Sequence, residues 1–160
     1  MENLNIIEIN DTHREEVINI FKNTFGESQW NGWLELELKE AVFNGNSYYK
    51  IDMYGIVING SIVSVAGIAD GMFLDSIKTL RLGATLPEFT KRGFMDTLVQ
   101  YRLNLLKAKG YAGVLVSTMF PHRYTKYGFS LIQSSDSYKA LYLDMENLNI
   151  SHISNVRKII

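Results

Sequence analysis

The chain has 160 residues, of which 46% are hydrophobic and 21% charged, and its formal net charge is −1. This balance fits one globular domain, and the near-zero charge gives no general reason to expect nucleic acid as a partner. The sequence contains no cysteine, which excludes disulfides, thiolate metal sites and a cysteine nucleophile. No apolar run reaches the ~20 residues of a membrane span, and no signal-peptide core is found, so we expect a cytoplasmic protein without membrane contact.

The N-terminal segment is predicted as a strand followed by a helix. Apolar and polar residues alternate from Leu4 to Ile9, as in a half-buried strand. Asp11 or Thr12 can cap the helix, and Glu15 stands three residues after Thr12, as in a capping box. Apolar residues then recur at helical spacing, and we expect the helix to end at Gly26.

The segment from Trp30 to Phe43 fits two interpretations. Residues 34–38 alternate like a strand, but the length of the segment and its lack of β-branched residues before Val42 favour a helix. Two tryptophans, Trp30 and Trp33, fall on the apolar face of this helix. We expect them to pack in the core, and the alternative is that they line a substrate cleft.

The middle of the chain is predicted as three antiparallel strands. Tyr48 to Ile58 and Ile62 to Ala69 flank Asn59-Gly60, which is a strong hairpin signal. Residues 78–86 form the next strand after a second short turn. Gly83 lies inside this third strand, where glycine often marks a bulge or a close backbone approach.

A long helix is predicted to begin near Asp96 and to end before Gly110. Its apolar face contains residues at helical spacing, namely Phe94, Leu98, Tyr101, Leu105 and Ala108. This helix separates strand 78–86 from an apolar strand at 113–117, which predicts a parallel, right-handed crossover. The C-terminal ends of both strands should therefore meet at one edge, where open α/β sheets bind ligands.

The last third is predicted as a short helix at Pro121 to Tyr127 and an antiparallel pair at Phe129 to Gln133 and Tyr138 to Leu143. Residues 147–160 receive no assignment. Together the elements predict a single α/β domain over residues 1–160, with a mixed, mainly antiparallel sheet of six or seven strands flanked by helices.

The loop between strand 78–86 and the long helix has the features of an anion site. A strand–loop–helix junction directs unpaired N–H groups and the positive end of a helix dipole at one spot, which suits phosphate or pyrophosphate. Lys91 and Arg92 supply positive charge, and Gly93 lets a ligand approach the main chain. Many such junctions are only connections, so the residues of this loop alone leave both interpretations open.

Two segments resemble motifs of the GNAT family of N-acetyltransferases. Pro87 to Gly93 is similar to the family's acyl-CoA pyrophosphate loop, and Arg123 to Phe129 is similar to its Phe-Tyr-x-Lys-x-Gly-Phe segment. The two occur in the family's order, and the resemblance covers roughly residues 4 to 143. Met119-Phe120-Pro121 further resembles the Eis-like branch. Two positions depart from the pattern, since Thr90 replaces Arg or Gln and Met95 replaces Gly or Ala.

The resemblance implies a GNAT-like acyl-CoA N-acyltransferase fold and acetyl transfer from acetyl-CoA, a co-substrate, to an amine. It assigns acetyl-CoA binding to the strand end and the loop, namely Gly83, Ala84, Thr85, Leu86, Lys91, Arg92, Gly93, Phe94, Met95 and Asp96. Backbone N–H groups around residues 84–86 could hold the thioester carbonyl. Without a cysteine, direct transfer in a ternary complex is the simplest scheme.

Tyr124 occupies the tyrosine position of the second motif and is the candidate general acid. A phenol with a pKa of about 10 is a reasonable proton donor to a thiolate whose conjugate acid has a pKa of about 8.5. The alternative is that Tyr124 only packs its short helix on the sheet.

The general base and the acceptor are not identified by the sequence. Candidates for the base, each of which could equally be a solvated surface residue, are His122, Asp70, Asp75, Glu35 and Glu37. Ser117 and Thr118 could bind pantetheine or acceptor, or be ordinary strand-end hydroxyls. The three histidines are too far apart in the sequence to suggest a metal site.

We expect the acceptor to be a small-molecule or peptide amine, with no nucleic acid partner, and a homodimer is one option for the assembly. The alternative function is a catalytically weak or inactive GNAT-fold module that binds CoA for regulation, which the residues at positions 90 and 95 make conceivable. A nucleotide-binding enzyme is disfavoured because no Walker-type lysine and serine or threonine pair follows Gly93.

Overall fold

The computed structural model describes residues 4–29, 32–44, 49–71, 74–149 and 156–159. Within these ranges eight strands form one sheet: β1 (Leu4–Glu8), β2 (Ile51–Ile58), β3 (Ser61–Asp70), β4 (Ile77–Thr85), β5 (Gly113–Thr118), β6 (Ser130–Ser134), β7 (Lys139–Asp144) and β8 (Val156–Ile159). The same ranges contain four α-helices: α1 (Arg14–Gln29), α2 (Gly32–Glu37), α3 (Phe94–Ala108) and α4 (His122–Thr125). A π-helical stretch, Leu38–Phe43, continues α2.

The strand order is β6-β7-β5-β4-β3-β2-β1-β8. Neighbouring strands pair antiparallel except β4 with β5 and β1 with β8, which are parallel. The α/β fold class is therefore confirmed, with the seven predicted strands in a mixed, mainly antiparallel sheet. The parallel pairing predicted across the long helix is that of β4 with β5. The eighth strand, β8, lies within residues 147–160, for which no element was predicted.

Helices cover both faces of the sheet. Leu98, Leu103 and Leu106 of α3 are buried against one face. Val17 and Phe21 of α1, together with Leu38 of the π-helical stretch, are buried against the other. Since β3 lies between these layers, its side chains are buried on both faces. No helix in the described part of the chain is long and apolar enough to cross a membrane.

The first helix differs from its prediction at both ends. Asn10 is the cap: its side chain accepts a hydrogen bond from the Thr12 N–H (2.9 Å), and the His13 side chain accepts one from the Asn10 N–H (3.0 Å). A 3₁₀ turn, Asp11–His13, separates this cap from α1, so the predicted caps Asp11 and Thr12 are wrong. The helix also continues past Gly26, since glycine lowers helix propensity by only about 1 kcal/mol.

Two predicted buried faces are wrong in part. The segment after residue 32 is helical as predicted, but Trp33 is 73% exposed and does not pack in the core; Trp30 lies outside the described residues. On α3, four of the five predicted residues are buried or packed against the core, but Ala108 is exposed and Arg102 is buried. A charged residue is normally placed in solvent, so the hydrophobic pattern could not predict the burial of Arg102.

We expect Leu98→Ala to lower the free energy of unfolding by about 2–5 kcal/mol, because it leaves a cavity where a fully buried side chain joins α3 to the sheet. Urea unfolding followed by circular dichroism measures this loss. Asn104→Ala, on the exposed side of the same helix, is the control and should change the value by no more than about 0.5 kcal/mol. Equal effects of the two substitutions would contradict the packing described here.

Candidate functional site

An extra residue interrupts β4 where it pairs with β3. Val65 pairs with Ala84 and Gly67 pairs with Arg81, so β4 uses one more residue than β3 between these pairs. The bulge lies in the Leu82-Gly83 segment, where Leu82 has a left-handed φ of 55°. Bulges bend the strand that carries them and increase its twist. The glycine signal read from the sequence therefore marks a real bulge.

Pairing between β4 and β5 ends at Leu80 and Val116, just before this bulge. Beyond that point a cavity of about 500 Å³ is lined from both faces of the sheet. Phe21 of α1 lines it from one side and Met95 of α3 from the other. The gap between β4 and β5 is therefore a cleft through the sheet.

The loop before α3 ends at this cleft. The first intrahelical hydrogen bond of α3 runs from the Thr97 N–H to the Gly93 carbonyl (3.0 Å). The N–H groups of Phe94, Met95 and Asp96 precede that bond, and an α-helix provides no internal acceptor for them. Gly93, at the N-cap, has a φ of 80°, which favours glycine. The loop therefore has the backbone geometry of an anion site.

Positive charge accompanies these N–H groups. Lys91 and Arg92 are both exposed. The Arg92 guanidinium lies over the rings of Phe89 and Phe94, 5.2 and 5.1 Å from their centroids. Stacking on two rings limits the orientations of this long side chain. The loop thus holds at least one cation in place at the positive end of α3.

Met95, which departs from the family pattern, lies against Gly83. A Cβ atom added to Gly83 would lie 3.1 Å from Met95 Cε and 3.2 Å from its sulfur. The thioether therefore fills the space in front of the glycine, and Met95 lines the cleft. Because methionine is unbranched and flexible, this side chain can move more easily than a β-branched one.

Several backbone and hydroxyl groups predicted to face the ligand are already used. The Leu86 N–H donates to the Val63 carbonyl of β3 (2.9 Å). The Thr85 carbonyl accepts a hydrogen bond from the Thr24 hydroxyl (3.0 Å), and Thr85 is in register with Ser64 of β3. Ala84 is buried. None of residues 84–86 lines the cleft, so the role of their backbone groups in holding a thioester stays a prediction.

The Thr90 hydroxyl is also occupied. It donates a hydrogen bond to the Pro87 carbonyl (2.9 Å), which closes the 3₁₀ turn Pro87–Phe89. This residue stands at the family's Arg or Gln position and stabilises the loop here. The positive charge of the loop comes from Lys91 and Arg92.

Asp96 connects the first turn of α3 to the residues after α4. Its carboxylate accepts hydrogen bonds from the Tyr127 hydroxyl and from Lys126 Nζ, the latter at 2.8 Å. Burial, together with the hydrogen bond to Asp96, raises the pKa of Tyr127 well above its ordinary value. This carboxylate therefore links the first turn of α3, beside the loop, to Lys126 and Tyr127 of the second sequence motif.

Tyr124 lies on α4 and lines the same cleft as Gly83 and Met95. Its ring packs edge-on against Phe129 with centroids 5.6 Å apart, and the residue is 9% exposed. Both interpretations of Tyr124 thus describe part of its environment, since it packs on the core and also faces the cleft. Arg102 lines this cleft too, although no motif or pattern in the sequence assigns it to the site.

A larger cavity of about 800 Å³ adjoins the cleft on the side of α2. Four residues line both cavities, namely Thr79, Arg81, Val116 and Ser117. Most of its wall is apolar, and it includes four exposed hydrophobic side chains: Trp33, Leu36, Leu74 and Ile132. The alternative interpretation of Trp33, as part of a cleft wall, is the one the structure supports.

Two of the five base candidates line this larger cavity, Glu37 and Asp70. Glu37 pairs with Arg81 (2.7 Å) and accepts a weak hydrogen bond from the Tyr49 hydroxyl (3.4 Å). Burial raises the pKa of Tyr49 above its ordinary value. Asp70 pairs with Lys78.

The other three base candidates, Glu35, Asp75 and His122, are not among the lining residues of either cavity. Glu35 pairs with Lys39 (3.1 Å), and His122 is exposed. Across the described ranges, no group of three or more His, Asp or Glu side chains could hold a metal ion.

The two strand-end hydroxyls differ in their environment. Ser117 is exposed and lines both cavities. Thr118 is buried, and its hydroxyl accepts a hydrogen bond from the Phe120 N–H (2.9 Å). Ser117 is therefore the better placed of the two to contact a ligand.

Several solved structures with this architecture are N-acetyltransferases, and others are acetyltransferases of the GNAT family. The ribosomal-protein-S18-alanine N-acetyltransferase of Escherichia coli superposes with a TM-score of 0.69 at 14% identity, covering 94% of this chain and 97% of that one. The PaiA N-acetyltransferase of Thermoplasma acidophilum, in complex with coenzyme A, gives 0.68 at 14% identity, covering 89% and 99%.

A spermidine N-acetyltransferase chimera from Vibrio cholerae and hSSAT gives a TM-score of 0.67 at 13% identity, covering 91% of this chain and 97% of that one. No family model matches the sequence, and no curated protein is similar to it. The chain therefore has the GNAT acetyltransferase fold. These likenesses do not distinguish the Eis-like branch from the rest of the family.

We expect Gly93→Ala to lower the free energy of unfolding by about 1–2 kcal/mol, because a Cβ disfavours the left-handed backbone that Gly93 adopts. Chemical denaturation measures the change. Gly32→Ala, at the start of α2, is the matched control: no atom lies within 4 Å of its added Cβ and its φ is ordinary. It should be neutral or stabilising by up to about 1 kcal/mol, and an equal loss in both variants would refute the strain argument.

Proposed function

We propose that this chain is an N-acetyltransferase that moves an acetyl group directly from acetyl-CoA to an amine. The observation that carries the proposal is the cleft through the sheet, where the first turn of α3 and Tyr124 lie on the same gap between β4 and β5. The fold gives the proposal its reaction class, because solved structures that share it are N-acetyltransferases, one of them in complex with coenzyme A.

The loop before α3 suits the pyrophosphate of acetyl-CoA. The N–H groups of residues 94–96 and the helix dipole favour an anion, and Lys91 and Arg92 supply the opposite charge. Gly83 is exposed and lines the cleft, so its backbone suits the pantetheine chain. In this arrangement the thioester lies between β4 and β5, close to Tyr124.

The reaction requires one bond to form and one to break. The amine nitrogen bonds to the acetyl carbon while the carbon–sulfur bond breaks, and the sulfur leaves with the electron pair. Tyr124 donates its hydroxyl proton to the departing sulfur. The amine attacks in its neutral form, so an ammonium that enters the cavity first loses one proton to solvent. The proton released from the nitrogen on transfer returns through solvent and restores the phenol. Because the amine attacks the thioester directly, no cysteinyl intermediate is needed.

The larger cavity suits the acceptor, because it adjoins the cleft through Ser117 and Thr79. Its apolar wall, including Trp33 and Leu36, favours an amine with an apolar or aromatic body. Carboxylates at its wall, such as Glu40, favour the cationic form of the amine in the encounter. We therefore propose an apolar primary amine, bound with its nitrogen toward β5.

We expect Tyr124→Phe to lower kcat by about 10²–10⁴-fold, because the thiolate then leaves without a positioned acid. The release of CoA thiol from acetyl-CoA in the presence of a panel of amines gives the rate. Tyr111→Phe, a tyrosine that lines neither cavity, is the control and should retain full activity.

Three other results would contradict this proposal. Unchanged kcat in Tyr124→Phe would remove Tyr124 from the reaction. Binding of CoA by calorimetry with no turnover of any amine would favour the alternative of a CoA-binding regulatory module, and no CoA binding at millimolar concentration would exclude both functions.

The acceptor proposal predicts a separate effect at Trp33. Trp33→Ala should raise the KM for arylalkylamines by about 10-fold or more, because a large apolar wall is lost, and should leave the Kd for CoA unchanged. Leu131→Ala, at an exposed leucine outside both cavities, is the control. An unchanged KM for all apolar amines in Trp33→Ala would place the acceptor elsewhere.

A further inference from the structure

Arg102, in the middle of α3, is a buried cation beside the proposed reaction site. The residue is 2% exposed, and its side chain is among the largest that the core contains. Burial lowers the pKa of Arg102 to about 10, so the guanidinium is still charged at neutral pH. Arginine is almost never buried to this degree unless it is paired.

The partners of this guanidinium are neutral. Its Nε donates to the Leu98 carbonyl of the same helix (3.1 Å), and its Nη1 donates to the Gly67 carbonyl of β3 (2.8 Å). No carboxylate among the described residues forms a salt bridge with it. Among ionisable side chains, Tyr124 is close enough to favour the charged guanidinium, which partly offsets the lowering of the Arg102 pKa by burial.

Within the described part of the chain, this positive charge has a phenol beside it and no carboxylate counter-ion. Both side chains line the same cleft. A charge buried in a poorly hydrated site interacts strongly with any opposite charge that forms beside it. When Tyr124 gives its proton to the departing sulfur, its oxygen becomes negative, and the guanidinium is already held in place by two main-chain carbonyls.

We infer that Arg102 is a positioning residue for the transfer: it holds a fixed positive charge on the same cleft as Tyr124 and stabilises the negative charge that forms on the Tyr124 oxygen. The inference rests on the proposed function, since it assigns Tyr124 the role of proton donor. It adds a residue that the two sequence motifs do not include. Arg102 acts through Tyr124 and does not touch the substrates.

A structural role is the competing explanation, because Arg102 also ties α3 to β3 at Gly67, next to the bulge. The two roles differ in what the residue depends on. A structural tie should affect stability and ligand binding whether or not Tyr124 has its hydroxyl. A positioning role should disappear once that hydroxyl is removed.

A double-mutant cycle on the full chain separates them. We expect Arg102→Met to lower kcat by about 10²-fold, a loss typical of removing one preorganised donor, with the KM for acetyl-CoA and the Kd for CoA within about two-fold of wild type. Arg102→Lys keeps the charge and should recover part of kcat. In the Tyr124→Phe background, Arg102→Met should change kcat by less than about three-fold, because the oxygen it acts on is gone.

Each outcome decides between the explanations. Losses that multiply in the double variant, or a rise in the Kd for CoA that matches the fall in kcat, would overturn the inference and leave the proposed function intact. If Arg102→Met does not fold, the same cycle is run with Arg102→Lys, which cannot keep both carbonyl contacts of the guanidinium; this loss should again matter only when the Tyr124 hydroxyl is present. No turnover by the wild type would overturn both the proposed function and this inference.

Discussion

Hydrogen bonding between β4 and β5 stops at Leu80 and Val116, because β4 carries an extra residue in the Leu82-Gly83 segment. Everything proposed for this protein depends on that interruption. A continuous ladder would close the sheet between α1 and α3, and no ligand could reach from one face to the other. The bulge instead opens a cleft, and the loop before α3, Tyr124 and the larger cavity all lie around it. Backbone geometry therefore determines where chemistry can occur before any side chain is considered.

Charge is distributed around this cleft in a way that the overall composition does not reveal. The formal net charge is only −1, yet Lys91 and Arg92 border the first turn of α3, and Arg102 lies deeper beside Tyr124. Carboxylates line the larger cavity on the other side. An anionic donor and a cationic acceptor would thus approach from opposite directions, with the reacting atoms meeting at the gap between the strands.

The parts of the site that could be predicted are those with a local signature. Gly93 is the N-cap of α3 and has a left-handed backbone conformation, and Gly83, a glycine within a strand pattern, marks the bulge. Buried polar groups were not predictable, because Arg102 interrupts the hydrophobic pattern of α3 and its partners at Gly67 and Tyr124 are distant in sequence. The predicted position of Trp33 was wrong for the opposite reason. Its hydrophobicity suggested burial in the core, whereas the exposed side chain lines a cavity. A hydrophobic pattern assigns each residue to the core or the surface by its polarity. At functional sites this rule often fails, because polar residues can be buried and apolar residues exposed.

The two cavities also differ in how they are assembled along the chain. Most residues that line the cleft lie in one continuous segment from residue 77 to residue 125, which contains β4, the loop, α3, β5 and α4. The Asp96 contacts to Lys126 and Tyr127 close this segment. The wall of the larger cavity instead comes from five separated parts of the chain, namely residues 33–41, Tyr49, and residues 70–81, 115–117 and 132–140. Substitutions at wall residues that do not line the cleft, such as Trp33, Leu36 and Ile132, can therefore accumulate without disturbing the segment that would hold the donor. In such a molecule the choice of acceptor is free to diverge between lineages while the donor half stays the same, which is one route by which a single fold comes to serve unrelated amines.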